Sequence, residues 1–218
     1  METYKNEKVN IYITYLSKRF QEHKLEIRQQ DGYDDIELLI INPHWDKNIR
    51  INIDNAPDDD DYVDVYFGFC CHHLHLYRFD NISGLCDRVD DLLTGKYCAY
   101  QLFVDGVCYS TPGFMFIDEI NLSTSESIME SLLRLRKYTP HIAPLANKMG
   151  IEVHEESNGV QSICFNSLFT ASGKYIIDNL LDEGASLQSI LGTNGDTNFR
   201  FSTYFWDNKL NKDYNFTM

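Results

Sequence analysis

The residues best equipped for chemistry lie together in the stretch Tyr62 to Asp80, YVDVYFGFCCHHLHLYRFD. His73 and His75 form an HxH pair, and side chains two apart on a strand leave the same face, a geometry that can chelate zinc. Asp80, Cys71 or His72 would have to supply the further ligands. The chain has no second HxH and no HExxH, and His23, His44, His141 and His154 are isolated. The pair is therefore expected to be structural, packed beside Tyr77 and bonded to backbone or carboxylate, with no metal and no cofactor. Cys70 and Cys71 adjoin His72 and His73, which raises the question of a nucleophilic thiol. Strand neighbours point to opposite faces, however, and no G-x-S-x-G elbow or cysteine-enzyme signature surrounds them. No G-x-x-x-x-G-K-[ST] or G-x-G-x-x-G loop is present to cradle phosphate.

The elements that must position this stretch are legible from periodicity. Val63, Val65, Phe67 and Phe69 alternate with Tyr62, Asp64, Tyr66 and Gly68, the period of a half-buried strand. The run is too long for one ordinary strand, so a bend is expected at Gly68 or at Cys70-Cys71. Upstream, Val9, Ile13, Leu16 and Phe20 recur at helical spacing between Asn6 and Glu22. Leu25 to Gln29 and Ile36 to Ile41 are expected strands around the turn dipeptide Asp31-Gly32, and Ile49, Ile51 and Ile53 alternate in a third.

Downstream, Asp80 or Asn81 would cap a helix carrying Ile82, Leu85, Val89, Leu92 and Leu93, closed by Gly95. Tyr97 to Val104 and Val107 to Ser110 flank Asp105-Gly106, a strong hairpin signal, and Phe114 to Ile120 extends the sheet. Ser123, Thr124, Ser125 and Glu126 fit a capping box before Ile128, Leu132 and Leu135. Pro140 and Pro144 separate that helix from a short one ending near Gly150. A hairpin from Ile151 to Phe165 follows, then helices from Lys174 to Leu181 and from Ser186 to Leu191. In the last strand Phe199, Phe201 and Phe205 alternate with Arg200, Ser202, Tyr204 and Trp206.

The expected fold class is α+β: mainly antiparallel sheet with hairpins, packed against several amphipathic helices. Residues 1–121 form one unit with 62–80 as its central strand, and 122–218 form a second, smaller unit, separate or packed as one domain with the first. A helix, LEIRQQDG and IELLIIN near the N-terminus echo a helix, IEVHEESNG and VQSICFN after Met149.

Charge carries the functional argument. The 19 basic and 33 acidic residues give a net charge of −14. Between Asp31 and Asp64 eleven acids (Asp31, Asp34, Asp35, Glu37, Asp46, Asp54, Asp58, Asp59, Asp60, Asp61, Asp64) face two bases, Lys47 and Arg50, so that window supplies −9. Such a field repels nucleic acid and attracts basic proteins. Tyr33-Asp34-Asp35 and Asp58 to Asp61 with Tyr62 combine rings that can anchor with acids that can steer, and these are the candidate partner-binding residues. A solvated acidic loop is the competing reading. No apolar run reaches the ~18 residues of a membrane span, and the charged N-terminus lacks the apolar region of a signal peptide, so a cytoplasmic location is expected. Cys70, Cys71, Cys86, Cys98, Cys108 and Cys164 follow no disulfide spacing and are expected to be reduced core residues.

YFGFCCHHLHLYRFD, followed by an amphipathic helix ending LLTGK and then strand, Asp-Gly and strand, resembles certain small bacterial immunity proteins of polymorphic toxin systems. The resemblance covers Tyr62 to Ser110. It implies an acidic, cytoplasmic, non-enzymatic protein that binds and neutralises a cognate toxin. The alternative is a metal-dependent hydrolase using His73 and His75 with Asp80. On the first reading, cooperative thermal unfolding should be unchanged by excess chelator or reductant. Loss of cooperativity in chelator, followed by calorimetry, would mean that a metal holds the fold.

Overall fold

The computed structural model describes residues 7–29, 36–53, 63–67, 82–109, 113–135, 137–138, 152–155, 161–165, 169–193 and 195–218. The chain is α+β with antiparallel sheets. It divides into two compact units: Met1–Gln101, Thr111–Ile117 and Ser202–Lys212 in the first, and Leu102–Ser110, Asp118–Phe201 and Asp213–Met218 in the second.

In the first unit, helix α1 (Glu7–Arg19) buries Val9, Ile13 and Leu16, and Phe20 just past its end, as their spacing dictates. Strands β1 (Leu25–Gln29), β2 (Ile36–Ile40), β3 (Ile49–Ile53) and β4 (Val63–Phe67) follow as an antiparallel sheet in the order β1-β2-β3-β4. Their register aligns three rows on one face: Gln29, Ile36, Ile53 and Val63; Ile27, Leu38, Ile51 and Val65; Leu25, Ile40, Ile49 and Phe67. On β2, β3 and β4 every member of these rows is buried, in one cluster with α1 and with Leu85, Cys86, Val89 and Leu92 of α2 (Ile82–Leu93). The other face carries Glu37, Arg50, Asp64 and Tyr66. Arg50 sits 3.3 Å from Glu37 with its guanidinium 4.4 Å from the Tyr66 ring centre. Of the long central stretch only β4 is described; Gly68, Cys70 and Cys71, where a bend was expected, lie outside the described residues.

The turn between β2 and β3 is built on Asn42, which is buried but satisfied. Its side chain donates to the Trp206 carbonyl at 2.9 Å and accepts from the His44 N–H at 2.8 Å, while its own N–H donates to Asn48 at 2.9 Å. Trp45 donates from Nε1 to the same carbonyl at 3.1 Å.

β5 (Tyr97–Val104) turns through Asp105 and Gly106, both at positive φ, into β6 (Val107–Cys108), the hairpin that Asp-Gly signals. β7 (Gly113–Phe116) then pairs with the first half of β5, and Ile117–Glu119 closes as a 3-10 turn where the sequence pattern points to more strand. Pairing shifts from Phe103 with Cys108 to Tyr100 with Gly113, so β5 advances three residues while its partner side advances five. Gly113 is required by close approach: a Cβ there would lie 2.5 Å from the Tyr100 hydroxyl oxygen. Tyr100 is itself buried, which pushes its phenol up to about 12.

In the second unit, α3 (Ser125–Arg134) is capped by Thr124, whose hydroxyl accepts from the Ser127 N–H at 3.1 Å. The third helical residue is thus Ser127 rather than Glu126, and Ser123 instead donates to Asn121 at 2.6 Å. β8 (Glu152–Glu155), β9 (Gln161–Phe165) and β10 (Phe169–Ser172) form an antiparallel meander. Helices α4 (Gly173–Asp182) and α5 (Leu187–Leu191) come next, α5 capped by Ser186 and closed by Gly192. Arg134 ties α3 to α4, at 3.0 Å from both Glu130 and Asp182. β11 (Asn198–Tyr204) and β12 (Lys212–Thr217) complete a five-stranded sheet in the order β12-β11-β5-β6, with β7 also on β5. Phe199 stacks on Phe216 at 5.6 Å and meets Tyr138 edge-on at 5.6 Å, forming the aromatic core of this unit.

Cys86 and Cys98 are buried free thiols, and burial pushes Cys86 up to about 11 and Cys98 up to about 12, which makes both inert. Cys108 departs from the expectation of a core residue: β6 is the edge of its sheet and both its residues are exposed. Gly113→Ala should cost about 1–3 kcal/mol in denaturant unfolding because the added methyl overpacks the buried Tyr100 ring. In a Tyr100→Ala background the same substitution should cost little, so the double-mutant cycle isolates the contact.

Candidate protein interface

Consecutive antiparallel strands send alternate connections to opposite ends of a sheet. The connection 30–35 leaves β1 at Gln29 and returns at Ile36, and the connection 54–62 leaves β3 at Ile53 and returns at Val63. Gln29, Ile36, Ile53 and Val63 are one row, so both segments depart from the same end of the sheet. Their sequences are QDGYDD and DNAPDDDDY, three aspartates in the first and five in the second, with no lysine or arginine in either. Neighbouring strands lie ~4.8 Å apart, so the two departure points are separated by roughly 10 Å. That separation is about one Debye length at 0.1 M salt.

Both arginines of the sheet, Arg28 beside that end and Arg50 beside the other, are engaged by strand carboxylates. Arg28 pairs with Glu26, whose carboxyl is held below its usual range by that hydrogen bond, and Arg50 pairs with Glu37. The opposite end is of mixed charge. There the end of α1 and the segment after it shape a cleft of about 550 Å³ in which Lys18, Arg19 and His23 mingle with Glu22 and Asp90, and Arg19 is paired with Asp90.

Tyr33, Asp34 and Asp35 belong to the first connection, and Asp58, Asp59, Asp60, Asp61 and Tyr62 to the second; the side chains themselves lie outside the described residues, as do His73, His75 and Asp80. What sequence reasoning missed is the coincidence of the two segments at one end. The signal was available, because three consecutive hairpin connections oblige the first and third to share an end. Among the described residues, no group of three or more His, Cys, Asp or Glu side chains is arranged to hold a metal ion, and no helix is long and apolar enough to cross a membrane. The chain matches no protein-family model, no curated protein and no solved structure.

Proposed function

We propose that this chain is a non-enzymatic binding protein that docks a cationic protein on the carboxylate-rich end of its first sheet, and that the partner is a toxin to which it confers immunity. The observation that supports this reading is the shared departure row of the two acidic connections. Eight carboxylates on two connections whose departure points lie about one screening length apart would steer a basic partner, and Tyr33 and Tyr62 stand beside them in sequence as anchors. If the toxin is a nuclease, its basic substrate cleft is the complementary surface, with the carboxylates occupying the places of phosphates. The hydrolase alternative rests on HxH spacing alone, and stoichiometric metal in the purified protein, lost in His73→Ala, would favour it.

Co-expression with the product of the adjacent gene, followed by association kinetics at low and high salt, tests the proposal. Changing Asp58, Asp59, Asp60 and Asp61 together to Asn should slow association about tenfold or more at low salt with a smaller effect on dissociation. Tyr33→Ala and Tyr62→Ala should act mainly on dissociation. A partner bound without salt dependence, or bound equally well by the four-Asn variant, would place the interface elsewhere.

A further inference from the structure

β1 is an outer strand of its sheet. The Ile41 N–H donates to the Lys24 carbonyl at 2.9 Å, so Lys24 lies opposite Ile41 in a hydrogen-bonded pair. The register then makes Glu26 and Arg28 hydrogen-bonded to β2 as well, while Leu25, Ile27 and Gln29 direct their N–H and C=O groups outward. Among the described residues nothing pairs with this edge. Natural edges are blunted by proline, bulges, inward charges or charged side chains along the edge, and of these β1 has only the last, Glu26 and Arg28. This edge has no proline or glycine, pairs with β2 without a bulge, and leaves the Ile27 side chain 40% exposed.

We infer that two copies of this chain pair through β1, antiparallel about a twofold axis at Ile27, joining the two four-stranded sheets into one. Centring the axis on Ile27 is the register that uses every outward group: Ile27 faces its own copy and Leu25 faces Gln29, each pair exchanging two backbone hydrogen bonds. On one face the exposed Ile27 side chains meet across the axis. On the other face Glu26 lies opposite Arg28 of the second copy, and Arg28 opposite its Glu26. The strand LEIRQ is thus self-complementary in charge, as an isologous interface requires. A second copy fits the edge on these observations independently of what binds the acidic end. The net charge of −14 opposes close approach of two copies, so the association is expected once salt screens that repulsion, at about 0.15 M.

Sedimentation velocity over a rising concentration series in such salt should show a monomer giving way to a dimer. Glu26→Arg makes both facing positions basic and Arg28→Glu makes both acidic, so each variant alone should remain monomeric while an equimolar mixture of the two forms a heterodimer. Ile27→Pro should also be monomeric with an unchanged circular dichroism spectrum, because the N–H it removes points away from β2. A wild-type chain that stays monomeric throughout, a dimer retained by both single charge variants, or a mixture that fails to associate would each overturn the inference.

Discussion

Burying one face of the four-stranded sheet is the constraint on which the rest of the first unit depends. Nine branched or aromatic side chains, in three rows across β2, β3 and β4, fill the space beneath α1 and α2. Because side chains alternate, a slip of one residue in any strand would drive Glu37, Arg50 or Asp64 into that core. Desolvating an unpaired charge is costly enough to exclude such registers. The hydrophobic pattern therefore sets the register, the register sets the strand ends, and the strand ends decide where the chain's acidic segments emerge.

This ordering explains what could be read before the structure. The elements with a clean period were legible: the α1 pattern, Leu25 to Gln29, Ile49 to Ile53, the helix after Asn81 and the Asp105-Gly106 hairpin all occur with boundaries within a few residues of expectation. β10 and β12 were not foreseen. FTAS has no alternation, and KDYNFT follows a polar turn closely enough to pass for a tail, although Tyr214 and Phe216 alternate and both pack on aromatic residues of β11. Residues 202–212 join the first unit although they lie far down the chain, a long-range closure that no local periodicity announces.

The echo between the two halves is realised as two antiparallel hairpins, but not in the same register. Glu26 pairs with Leu39, while Glu152, its counterpart, pairs with Cys164 rather than with Ile163, which corresponds to Leu39. The two hairpins differ by a one-residue offset, so the likeness does not extend to the pairing register. Of the candidate site, the charge was legible in composition, and the departure of both acidic segments from one end follows only once the four strands are joined as consecutive hairpins. The histidine pair at residues 73 and 75 was legible as spacing and lies outside the described residues.

The proposed docking surface for a cationic partner is the end of the sheet marked by Gln29, Ile36, Ile53 and Val63. An amide NMR titration of the free protein with an oligolysine peptide tests it most directly, since the peptide has charge but no specific shape. Shifts should concentrate on that row and be suppressed by salt, with little change at Leu25, Ile40, Ile49 and Phe67 at the other end. Shifts centred on the opposite end, or spread evenly over the sheet, would contradict it.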